Sequence, residues 1–266
     1  MTRVRTIYLY DDPYSEGLDI GYLAGYLAAE LPGVEVGVRT DFITYHLGRF
    51  SEKEREILGG ELSRQVEGAR VKALEGSGSL LLSDVTGDAR LGEMYVAQSL
   101  QAAMRLLIPE EEADLSHLHI MFTSELVGEV DARTGLRIGV AALGSPNIIS
   151  TSGLIEAPRL PREYHFRRTQ YAMLGAVEHL DELEDQFADR TVGYGDPRVN
   201  ELLKGYLLIA VAYRATGEGP CPDPSCPLHA AERHRELLEA QVGPESRICR
   251  RHRQILDAVA SSGEGE

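Results

Sequence analysis

Every cysteine of the chain falls between positions 221 and 249, and this confinement constrains the fold more than any other feature. Cys221 and Cys226 lie in the stretch GPCPDPSCPLH, with four residues between them. Cys249 follows downstream, with two residues separating it from His252. Zinc takes four tetrahedral ligands from thiolates and imidazoles. A short pair in a turn presents two ligands, and a second pair from a distant element completes the set. Pro222, Pro224 and Pro227 stiffen the first pair and lower the entropy cost of presenting both sulfurs. Three cysteines cannot all pair within one chain, and in a reducing compartment clustered cysteines more often hold metal than form disulfides. His229 also stands at Cys-x2-His spacing from Cys226, so five candidates contend for four places. His252 is preferred because each half then supplies two ligands, and His234 is a weaker spare. The ordinary alternative is three buried free cysteines in a core. Their confinement to one corner argues against it. A closed four-ligand site is structural, since zinc needs an open position to activate water. The expected cofactor is therefore one structural Zn2+ per chain.

The rest of the pattern predicts an α/β (α+β) protein. VRTIYLY (4 to 10) is β-branched and aromatic, Leu18, Ile20, Leu23, Leu27 and Leu31 recur at helical spacing, and VEVGVR (34 to 39) alternates. Strand, helix, strand in this order suggests a parallel pair. A charged helix is expected over 51 to 75, a short strand or buried segment over SLLLSDV (79 to 85), and a helix over 91 to 107. HLHIMFTSEL (117 to 126) reads as a strand, 128 to 143 as strands flanking a turn at Asp131 to Gly135, and 147 to 155 as another β-rich piece. A proline-bearing connector (156 to 164) leads to helical sequence over 165 to 189. Asp196-Pro197 is a helix start and Gly217 a helix stop. Between them YLLIAVAY is apolar on nearly every face, which predicts a central, buried helix. Two more helices, around AAERHRELLEAQ and CRRHRQILDAVA, close the chain. The expected division is an α/β domain over 1–218 and a C-terminal zinc-knuckle helical subdomain over 219–262.

Composition narrows the partners. The formal charge is −15 over 266 residues, which repels phosphate backbones and anionic membranes. Nucleic acid is therefore an unfavoured partner. Arg247, Arg250, Arg251 and Arg253, around Cys249, form the best candidate basic patch for a nucleic-acid adaptor, although a solvated helix face is the favoured reading of them. The sequence has no apolar run of about eighteen residues, the length a membrane helix needs. Its N-terminus lacks the features of a signal peptide. No membrane partner and a cytoplasmic location are the expectations.

Other constellations are weaker. His117 and His119 on a strand would place both imidazoles on one face, a candidate ligand pair, but ordinary strand-surface histidines fit as well. His46 stands alone. Asp11 and Asp12 follow the first strand, where α/β sheets bind ligands, although a helix cap is the simpler role. Ser83, Ser150, Thr151 and Ser152 sit in no Gly-x-Ser-x-Gly elbow, and Gly76-Ser77-Gly78-Ser79 lacks the ending of a phosphate loop.

The cysteine spacing resembles that of the archaemetzincins, zinc peptidases of archaea and vertebrates. Their signature runs HExxHxxGxxHC, x4, C-x-M, a gap of about twenty residues and C-x2-C, the four cysteines holding a structural zinc (the parent motif is that of the metzincins). On this chain Cys221 and Cys226 match the x4 pair, Leu228 stands at the Met position, Cys249 matches the third cysteine, and His252 replaces the fourth. Upstream, Ala210 stands at the first catalytic His, Val211 at the Glu, Arg214 at the second His and Pro220 at the third, with Gly217 kept. No His in the chain is followed by Glu, so HExxH is absent. The resemblance implies a zincin-like mixed sheet with flanking helices and a helical zinc-binding piece. It implies a metallopeptidase homologue without the standard catalytic zinc, persisting as a binding or scaffold protein for a peptide or protein partner. A hydrolase with a nonstandard metal site, using His117, His119 or His165, is the alternative.

Overall fold

The protein is described here from a computed structural model, which covers residues 2–72, 93–131 and 135–261. The predicted SLLLSDV strand, the Gly76–Ser79 loop and Ser83 lie outside the described residues.

β1 (Thr6–Tyr10), α1 (Ile20–Glu30) and β2 (Glu35–Arg39) form the predicted parallel unit, with Thr6 opposite Glu35 and Tyr10 opposite Arg39. Asp19 caps α1 by accepting from the Tyr22 N–H. α2 (Phe42–Leu47) and α3 (Glu52–Ala69) follow, the latter opened by a Ser51–Glu54 capping box. β3 (Arg70–Lys72) and β4 (Glu93–Val96) precede α4 (Ala97–Arg105). β5 (His117–Thr123) leads to the hairpin β6 (Val127–Asp131) and β7 (Gly135–Gly139), then to β8 (Ala141–Ala142) and β9 (Asn147–Ser150). The remaining helices are α5 (Thr151–Glu156), α6 (Arg162–Leu174), α7 (Leu180–Phe187), α8 (Val199–Thr216), α9 (His234–Val242) and α10 (Arg250–Ser261).

The main sheet has the order β2-β1-β5-β9-β8, parallel except for β8. The second has the order β3-β4-β6-β7 and is also mixed. The fold is α+β with two mixed sheets. Both faces of the main sheet are covered, and the two-residue period sorts its side chains. Ile7, Leu9, Leu118, Ile120 and Ile149 face a core shared with α1 and α8. Tyr10, Met121 and Ile148 face a second core with α2, α3 and α4.

α8 packs against α1, β5, α9 and α10, which is why its sequence is apolar all round. Leu202, Leu203 and the stretch Tyr206 to Ala212 are buried. Asp196 accepts from the Arg198 N–H at 2.8 Å and pairs with the Arg198 guanidinium. Gly217, at φ +75°, ends the helix and donates its N–H to the Tyr213 carbonyl. One continuous core cluster runs from Val4 through α8 to Cys226, Leu237 and Leu256.

Two expectations needed correction. The periodic stretch 91 to 107 is not one helix, because Glu93–Val96 is a strand paired with both β3 and β6. Sheet pairing overrides helical spacing there. The stretch 147 to 155 turns from strand to helix at Thr151, where the Ser150 hydroxyl accepts from the Gly153 N–H.

Candidate metal centre

The loop from Gly219 to His229 folds back onto α8. Its backbone closes on itself: Cys221 N–H donates to the Leu228 carbonyl (2.8 Å), Cys226 N–H to Asp223 (3.1 Å) and His229 N–H to Cys226 (2.8 Å). The Asp223 carboxylate accepts from both the N–H and the hydroxyl of Ser225. Gln241 of α9 donates to the Pro227 carbonyl at 2.7 Å, tying the loop to the next helix. Cys249 stands immediately before α10, and its carbonyl accepts from the Arg253 N–H. One turn into that helix His252 points back, its Nδ1 3.1 Å from the Cys249 sulfur.

The two halves meet. The Arg247 N–H reaches the Ser225 carbonyl (3.2 Å), and the Cys249 N–H points at the Cys226 sulfur (3.5 Å). One donor atom from each of Cys221, Cys226, Cys249 and His252 lies within 4.8 Å of all the others. The sulfurs of Cys221 and Cys249 are 3.8 Å apart, too far for a disulfide bond. Two thiolates bound tetrahedrally to zinc at 2.3 Å would stand roughly 3.8 Å apart. The cluster is the right size to hold one metal ion.

Its electrostatics agree. Burial pushes the thiols of Cys221 and Cys226 above their usual range. Burial, then the charge of Arg251, lowers the His252 imidazole, which favours the neutral form that binds metal. A divalent cation would supply the positive charge that three thiolates in this buried corner need. The nearby arginines do not supply it as a group, since Arg251 pairs with Glu218 and Arg253 with Glu30.

The other candidate ligands lie elsewhere. His229 turns its Nδ1 to the Cys221 carbonyl at 2.8 Å, bracing the loop from outside the cluster. His234 is fully buried and accepts from the Val192 N–H. His165 is exposed on α6. His117 is held by Asp114 (3.0 Å). His119 is not a surface residue; it is buried between the Tyr10 hydroxyl and the Glu112 carbonyl. Asp12 does not cap α1 but accepts from the Ser15 hydroxyl and the Ser124 N–H, joining the ends of β1 and β5.

Sequence reasoning left His46 alone, yet it is fully buried and bound to Tyr10. The Glu112 carbonyl can only accept, so the neutral His119 carries its proton on Nε2. Its Nδ1 then accepts from Tyr10. The Tyr10 oxygen in turn accepts from Arg39 (2.8 Å) and from His46 Nε2 (3.0 Å). Arg39 also clamps Glu112 with two bonds of 2.6 and 2.8 Å and stacks over the Tyr8 ring. The strand period placed His117 and His119 on one face, and the register of β1 with β5 puts Tyr8 and Tyr10 on that face too. No local signal brought Arg39, His46 and Glu112 to it.

Of the positions aligned with the peptidase signature, Ala210 and Val211 are fully buried in the core. Arg214 lines a cavity and Pro220 is exposed. No helix among the described residues is long and apolar enough to cross a membrane.

No curated protein and no solved structure matches the chain. A family model described as "Probable metallopeptidase family (DUF6775)" matches residues 3–259. Because that match spans nearly the whole sequence, the chain belongs to this family.

Proposed function

We propose that this protein is an archaemetzincin-related member of its family with a zincin-like scaffold. In it Cys221, Cys226, Cys249 and His252 hold one structural Zn2+. It acts by binding a peptide or protein partner, in a reducing, cytoplasmic setting. The observation that supports this most is the convergence of four soft donors from two segments that both dock on α8. When bound, zinc would cross-link residues 219–229 to the start of α10 and leave no open position for water. The aligned catalytic positions offer no substitute, because neither Ala210 nor Val211 can bind a metal or take a proton from water.

Elemental mass spectrometry on protein purified without an affinity-metal step tests this reading. One zinc per chain, lost in Cys221→Ser, is the expected result. Two ions per chain would favour a hydrolase with a nonstandard site, and no metal would remove the structural zinc.

A further inference from the structure

The three sulfurs of the cluster are not equally accessible. Cys226 is fully buried and Cys221 nearly so, whereas Cys249 is only half-buried. A small solute therefore reaches Cys249 first. The Cys221 sulfur lies 3.8 Å from that of Cys249. A disulfide needs about 2.05 Å, so a shift of under about 2 Å joins the two. Cys249 ends a stretch, 246–249, without regular secondary structure, and that stretch can supply the shift.

The other pairings are harder. Pro222 and Pro224 stand between Cys221 and Cys226 and stiffen the backbone there. The N–H groups of these two cysteines are also fixed, on the Leu228 and Asp223 carbonyls. Cys226 has no exposed surface, and its sulfur already accepts from the Cys249 N–H. An accessible thiolate beside a second one is the arrangement in which oxidation stops at a disulfide.

The geometry points to a peroxide-responsive centre, in which oxidation joins Cys221 to Cys249, expels the metal ion and leaves a covalent link between the same two segments. The co-reactant is a hydroperoxide. The Cys249 thiolate attacks one oxygen of hydrogen peroxide, which gives a sulfenic acid and hydroxide. The Cys221 thiolate then attacks that sulfur and displaces a second hydroxide. Both hydroxides take up a proton and leave as water. Two electrons pass from the sulfurs to the peroxide, and the oxidation state of the metal is unchanged. Cys226 and His252, the two donors that remain, are too few to hold zinc in a closed site. The new bond links residues 28 apart in sequence, so the loop stays fastened to the start of α10 without metal. The loss of zinc rests on the function proposed above. The choice of sulfur pair rests on geometry alone.

The test treats the full chain, as purified with its zinc, with hydrogen peroxide. Zinc release is read with a chromogenic chelator, and bridges are mapped by mass spectrometry of unreduced peptides. About one zinc should be released for each bridge formed. The bridge should join Cys221 to Cys249, with Cys226 left to react with iodoacetamide. A thiol reductant with added zinc should restore the starting protein. The oxidised, metal-free chain should melt above the reduced chain stripped by a chelator. His252→Ala keeps both sulfurs and should form the same bridge. A bridge from Cys226 to either other cysteine, sulfinic acid on Cys249 without a bridge, no loss of thiols, or a bridge formed while zinc stays bound would overturn the assignment. A protein that carries no zinc yet forms the Cys221–Cys249 bridge would remove the structural zinc and keep the pairing.

Discussion

Gly205 of α8 lies against the carbonyl of Pro227, so closely that a methyl group on it would stand 2.1 Å from that oxygen. The cysteine loop is thus seated directly on the central helix. Gln241 shares the contact, since its amide would meet the same methyl at 2.3 Å. Gly205→Ala should push the loop off α8 and cost about 1–3 kcal/mol, the usual penalty for overpacking. Urea unfolding midpoints would read this. An unchanged midpoint would mean that the loop yields freely and is not held by the helix.

The two histidines near the cysteines should separate cleanly. His252→Ala removes a donor from the cluster, so it should lose bound metal and the stability coupled to it. His229→Ala removes only the bond to the Cys221 carbonyl, which is worth about 1 kcal/mol, and should retain metal. Elemental analysis of both variants decides, and the reverse outcome would exchange the fourth ligand.

The cluster was legible because its residues lie close in sequence and zinc chemistry restricts their types. The order of strands and helices was legible for a similar reason, since local period reports which face is buried. Glu93–Val96 was not, because its strand character comes from β3 and β6 rather than from its own pattern. His46 and Arg39 gave no signal because their partner Tyr10 is far away in sequence.

Tyr10 is the centre of a polar network inside an otherwise apolar core. Tyr10→Phe keeps the ring and its packing on Phe42 but removes one donor and two accepted bonds. Arg39 retains Glu112, while His119 Nδ1 and His46 Nε2 lose their partners. Leaving two buried imidazole atoms unsatisfied should cost about 3 kcal/mol, and denaturant unfolding would measure it. A loss below about 1 kcal/mol would show that water replaces the hydroxyl.

Stability should fall on mild acidification through the same network. Burial lowers His119 to about 4 and His46 to about 3, with Arg49 and Arg39 adding to the effect on His46 and Arg39 and His117 to that on His119. Glu112 acts in the opposite direction on both. In the unfolded chain each imidazole titrates near its ordinary value of about 6.5. Below that pH the unfolded state binds protons that the folded state refuses, so stability rises with pH across this range. It should be full above about pH 6.5 and decline towards pH 4, by up to about 3 kcal/mol for His119 alone. Metal release would also destabilise the protein in acid, so the comparison must be between variants. His119→Gln keeps an amide at the position without the titration, and its unfolding free energy should vary less between pH 7 and pH 5 than that of wild type. Equal slopes in the two proteins would place the acid sensitivity elsewhere: at His46, at His234, which burial also lowers to about 4, or at the cysteine cluster.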